Sequence, residues 1–98
     1  MQKILERNTL KNKLEALRKE GKKIAFTNGC FDIIHVGHVR YLREAKKTAD
    51  ILVLALNSDS SVRAIKGTKR PLVSAEDRAE VIAALEFVDF ITIFEELT

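Results

Sequence analysis

Thr27-Asn28-Gly29-Cys30-Phe31-Asp32-Ile33-Ile34-His35-Val36-Gly37-His38 is the stretch in which a strand gives way to a helix, and that transition decides the fold of this 98-residue chain. Upstream, Lys23-Ile24-Ala25-Phe26-Thr27 is a short β-like run, and Asn28-Gly29 ends it with turn residues that tolerate unusual backbone angles. Downstream, from about residue 37 to 48, Val39, Leu42 and Ala45, with Ala49 beyond, recur at helical spacing, while Arg40, Arg43, Glu44 and Lys47 take the other faces.

Further out, Ile51-Leu52-Val53-Leu54-Ala55-Leu56 is apolar without alternation, as expected of a strand covered on both faces of a parallel sheet. Asn57-Ser58-Asp59-Ser60-Ser61 is a polar turn able to cap a short helix over 62–65, and 66–71 is a basic loop. Ser74 with Glu76 and Asp77 predicts the start of a helix carrying Val81, Ile82 and Leu85, and 90–94 is a third strand. On the N-terminal side, Leu10, Leu14 and Leu17 share one face of a helix over about 8–20, with Gly21 as its C-terminal cap. The chain therefore divides into a leading helix, 1–21, and an α/β unit, 22–98. Helices alternating with strands favour a parallel sheet with right-handed crossovers, and ligands belong at the C-terminal ends of its strands. Residues 28–38 and 57–59 occupy those ends and hold the chemically versatile side chains.

Bulk properties narrow the function without choosing it. With 46% apolar residues the chain makes one globular domain at most. A net charge of +3 without a basic block does not imply nucleic-acid binding, and six aromatics, five of them Phe, argue the same way. It is compatible with attraction for phosphorylated small molecules. One cysteine forms no internal disulfide, the N-terminus lacks the apolar run of a signal peptide, and 51–56 is too short to cross a bilayer. The expectation is a cytoplasmic protein with no membrane and no nucleic-acid partner.

His35-Val36-Gly37-His38 puts two imidazoles at a helix N-terminus, whose free N–H groups favour phosphate. Gly37 permits close backbone approach. Against a nucleoside triphosphate both histidines can donate hydrogen bonds and stabilise charge that develops at phosphorus. Zinc is the competing idea, but two His and one Cys have no standard ligand spacing, and no protein metal site is expected. In isolation His35 and His38 would be ordinary helix-start residues; the preceding strand, the Asn28–Asp32 turn and the following helix favour the functional alternative.

The stretch from Thr27 to His38, with its intact HxGH element, resembles the signature of the cytidylyltransferase-like superfamily. Within it the chain is most similar to bacterial heptose 1-phosphate adenylyltransferases, stand-alone or as the second domain of a bifunctional kinase and adenylyltransferase. Asn57-Ser58-Asp59, 62–71 and Asp77-Arg78-Ala79-Glu80-Val81-Ile82 extend the likeness over nearly all of the chain from Lys22 onward. The resemblance implies a Rossmann-like sheet of the HxGH nucleotidyltransferase type, of which only the N-terminal three strands are present. It also implies transfer of AMP from ATP, with Mg²⁺, to a heptose 1-phosphate, giving ADP-heptose for the lipopolysaccharide core. The acceptor phosphate is already ionised, so alignment and charge neutralisation matter more than a base.

Carried over by resemblance, His35, His38 and Lys66 act at the phosphates, and Asn28, Gly29, Cys30, Phe31, Asp32, Gly37, Asn57 and Asp59 line the nucleotide site. Asp32 would orient the turn. Lys69 and Arg78 are further candidates. Asp59 has a competing reading as a helix cap, Cys30 as a small buried hydrophobe, and Lys66, Lys69 and Arg70 as solvated loop charges.

Family members continue past the third strand with elements that contact the base and sugar and with a strand beside the first one. This chain ends at Thr98. The expectation is a fragment, a processed piece or a short product, with the first strand's open edge favouring a homo-oligomer. The runner-up functions are a cytidylyltransferase acting on a small phosphorylated alcohol and a nucleotide-binding module without full activity.

Overall fold

The central strand collects its apolar run into two opposite faces, and everything else packs against them. The structure, a computed structural model, describes residues 2–95. Its strands are β1 (Ile24–Gly29), β2 (Ile51–Asn57) and β3 (Phe90–Phe94), in the order β1-β2-β3 and parallel throughout. The helices are α1 (Arg7–Lys19), α2 (Val36–Lys47), α3 (Asp59–Lys66) and α4 (Ala75–Ala83).

Leu52, Leu54 and Leu56 of β2 meet Leu42 of α2, Ala79 and Ile82 of α4, and Ile91 of β3 in the main core. The alternate residue Val53, beside Phe90, meets Leu10 and Leu14 of α1 on the other face. Each such fully buried aliphatic side chain contributes about 1.5–3 kcal/mol relative to exposure. Leading helix and sheet thus share the second cluster, on the face opposite α2 and α4. Residues 3–5 also join the sheet: Leu5 N donates to Ile91 O and Ile91 N donates to Lys3 O, both at 2.9 Å.

The α/β class, the parallel sheet and the three strands stand as expected from sequence. Several boundaries differ for identifiable reasons. β1 continues through Asn28 and Gly29, read as a turn, because these residues pair in register with Ala55 and Leu56. β2 likewise reaches Asn57, which pairs with Phe94. Helix α3 spans a full two turns, and its cap is Ser58, whose hydroxyl accepts from Ser61 N at 3.2 Å. Asp59 is therefore not a cap; it opens the helix and reaches elsewhere. Ser74 caps α4 as expected, accepting from Asp77 N. Val81, expected inside, is 52% exposed, because Ala75, Ala79 and Ile82 form the stripe that faces the sheet. Gly21 follows α1 at φ +85°, the left-handed geometry that a helix C-terminus uses and that glycine adopts without strain.

Candidate active site

The connection from β1 to α2 is built around two aromatic contacts that only glycine permits. A Cβ on Gly29 would lie 2.8 Å from the Phe31 ring, and a Cβ on Gly37 would lie 2.7 Å from His35 Cε1. Phe31 takes a left-handed backbone angle, φ 47°, which turns the chain sharply and buries its ring 5.0 Å from that of His38. Such a conformation in a bulky residue is costly and is held here by the surrounding packing.

His35 caps α2. Its Nδ1 accepts from Gly37 N at 3.0 Å, and His38 Nδ1 accepts from His35 N at 3.3 Å. A ring nitrogen that accepts carries no proton, so in the neutral rings both protons sit on Nε2. The rings lie 4.2 Å apart and present paired Nε2–H donors at a helix N-terminus. The pKa of His38 is lowered, chiefly by burial, then by the neighbouring positive charges of His35 and Lys66. Lys66, the last residue of α3, is thereby brought within electrostatic range of the histidine pair although 28 residues separate it from His38 in sequence.

Asp32 faces inward and closes the turn. Its carboxylate accepts from Leu72 N and Val73 N at 2.9 Å and from Arg70 Nη1 at 3.1 Å. Burial opposes its ionisation, but these backbone and arginine contacts together hold its pKa below the ordinary carboxyl value. The basic loop 67–73 is pinned to the turn through this clip. Arg70, read from sequence as a solvated charge, owes its role to the fold, and no local signal marks the pair.

The remaining candidates separate into groups. Cys30 Sγ lies 3.8 Å from Asn57 Oδ1, and Asn57 is buried beneath the turn. Arg78 is wholly buried and Asp59 accepts from it at 2.8 Å, so both face protein groups. Lys69 is exposed in the loop. Asn28 lies on the opposite sheet face, in a row with Ala55 and Thr92, where it lines an open groove of about 610 Å³ beside α1. That groove holds none of the His35, His38 and Lys66 chemistry. Among the described residues, no group of three or more His, Cys, Asp or Glu side chains converges as a metal cage, and no helix is long and apolar enough to cross a membrane.

The chain is 51% identical over 96 residues to the bifunctional protein HldE of Syntrophotalea carbinolica and 58% identical over 85 residues to that of Geobacter metallireducens. These matches cover 98% and 87% of this chain but only 20% and 17% of the relatives, so the chain spans about a fifth of their length. The crystal structure of the lipopolysaccharide core biosynthesis protein from Thermoplasma volcanium GSS1 superposes with a TM-score of 0.70 at 33% identity, covering 76% of this chain and 60% of that one. The cytidylyltransferase-like family profile matches residues 26–97, which begins in β1 and takes in the whole glycine, histidine and loop assembly. With its parallel sheet, its HxGH turn and a match over most of its length, the chain belongs to the cytidylyltransferase-like family.

Proposed function

We propose that this chain provides the phosphate-binding half of a nucleotidyltransferase site that transfers AMP from ATP to a heptose 1-phosphate. One observation carries the reading: His35 and His38 present paired Nε2–H donors at the start of α2, with Lys66 near enough to depress the pKa of His38. Two aimed donors, a helix N-terminus and a nearby ammonium form an anion site matched to a polyphosphate. The heptose substrate and the lipopolysaccharide pathway are supported by the relatives' HldE name and by the structural neighbour, itself a lipopolysaccharide core biosynthesis protein.

In this reaction a phosphate oxygen of the sugar attacks the α-phosphorus of ATP in line, and the bond from that phosphorus to the bridging oxygen breaks, releasing pyrophosphate. The histidine pair and Lys66 hold the phosphates and take up the charge that shifts onto the leaving group. No proton need be removed from the nucleophile. Asp32 and Asp59 are already engaged by protein donors, which fits Mg²⁺ entering with the ATP phosphates it neutralises rather than in a cage of side chains. The protein is proposed to work in the cytoplasm, where ATP is available.

The test is pyrophosphate release from ATP, Mg²⁺ and heptose 1-phosphate, comparing the chain with His38→Ala. Activity lost in the variant supports transfer at this site. ATP binding without release in either protein supports the alternative of a nucleotide-binding module. Preference for CTP over ATP would replace the adenylyltransferase reading with a cytidylyltransferase one.

A further inference from the structure

Arg78 is the largest fully buried side chain of the molecule's described part, and a guanidinium there needs an explanation. Burying a charge costs several kcal/mol unless it is paired and hydrogen-bonded, and an aliphatic residue would fill the same space without that cost. Its partners are spread over four segments. Nη1 donates to the carbonyl of Cys30 at 2.6 Å and to that of Asn57 at 2.9 Å. Nε donates to Val73 O at 2.9 Å, and Nη2 to Asp59 Oδ1 at 2.8 Å. Asp59 Oδ1 also accepts from Ala75 N, at 2.8 Å, at the start of α4.

These acceptors are not interchangeable. Cys30 and Asn57 lie at the C-terminal ends of β1 and β2, past or at the limit of the ladder that pairs them. Cys30 leads directly into the turn that carries His35 and His38, whereas Asp59 begins α3, which ends in Lys66. Val73 closes the loop clipped to Asp32. One planar fork therefore fixes the histidine turn, the α3 wall and the basic loop relative to each other. A lysine could keep the charge, but its compact ammonium cannot reach acceptors spread around a plane in this way.

We propose that Arg78 is a positioning residue which sets the spacing between the two hydrogen-bond-donating walls of the site, the His35/His38 turn and the end of α3 bearing Lys66. This rests on the nucleotide reading above for its functional meaning, while the spacing itself is a property of the folded chain. Arg78 touches no ligand in this role.

The experiment compares the full chain with Arg78→Lys, Asp59→Asn and Lys66→Met, using thermal melting to establish folding, ATP titration to give affinity, and NMR titration of His38. With Arg78→Lys folded, ATP affinity falls at least about tenfold, the scale on which small misplacements act. The His38 pKa climbs towards its value in Lys66→Met as the lysine withdraws. Asp59→Asn moves both quantities in the same direction by less, and it decides the matter if Arg78→Lys does not fold. A folded Arg78→Lys with native ATP affinity and an unmoved His38 overturns the proposal. If no protein, native or variant, binds ATP, the nucleotide reading fails, and the shift of His38 alone decides whether Arg78 sets the spacing.

Discussion

A methyl group on residue 37 would collide with His35 Cε1 at 2.7 Å, so the ring that caps α2 depends on glycine as much as on histidine. Gly37→Ala is expected to displace that ring, leave the melting temperature nearly unchanged at this exposed turn, and weaken ATP binding, as measured by calorimetric titration. His38 is expected to titrate below the ordinary histidine value of about 6.5. Because its folded pKa is depressed, the stability it contributes is fully present above the unfolded pKa and is lost as pH falls through the folded one. Added ATP should raise that pKa, since phosphate offsets the charges of His35 and Lys66; an unmoved resonance would place the nucleotide elsewhere. Asp32→Asn removes the negative charge and replaces the oxygen that accepts from Arg70 Nη1 with an amide donor, while one oxygen remains for Leu72 N and Val73 N, and should cost about 1–3 kcal/mol in denaturant unfolding. The histidines, the glycines and the turn were legible in sequence because their spacing is local. The partners of Asp32 and Arg78 were not, since they lie up to 41 and 48 residues away, and nothing along the chain marks which arginine folds inward.

Leu42 is the one buried residue of α2, the helix whose start holds the histidines, and it packs into the main core. Leu42→Ala is expected to destabilise the protein by about 2–5 kcal/mol and to broaden the His38 resonance as the helix loosens from the sheet. For α4, Ser74→Ala removes the hydroxyl that accepts from Asp77 N and should cost about 1 kcal/mol, read from the shift of the denaturation midpoint. Elements of this kind were readable because apolar period and cap chemistry are written into adjacent residues. Their ends were less so. Asn28 and Gly29 favour turns by themselves, yet ladder pairing with Ala55 and Leu56 keeps them extended. Asp59 looks like a cap, but a serine one residue earlier fills that position and frees the carboxylate for α4.

At the scale of the whole molecule, β1 pairs on one side only among the described residues, and Phe26 beside that open edge is 60% exposed. Unpaired strand edges recruit other strands. The homo-oligomer proposed from sequence should appear in light scattering as concentration-dependent association, and Phe26→Lys should reduce it without lowering the melting temperature. A monomer at all concentrations would remove the idea. The opposite flank differs, because residues 3–5 already lie against Ile91 of β3. Among the described residues the sheet is bridged by residues 3–5 at one flank and open along β1 at the other: two copies joined edge to edge through β1 would satisfy each other's open edge about a twofold axis, so association through β1 closes at a pair rather than growing into a fibre.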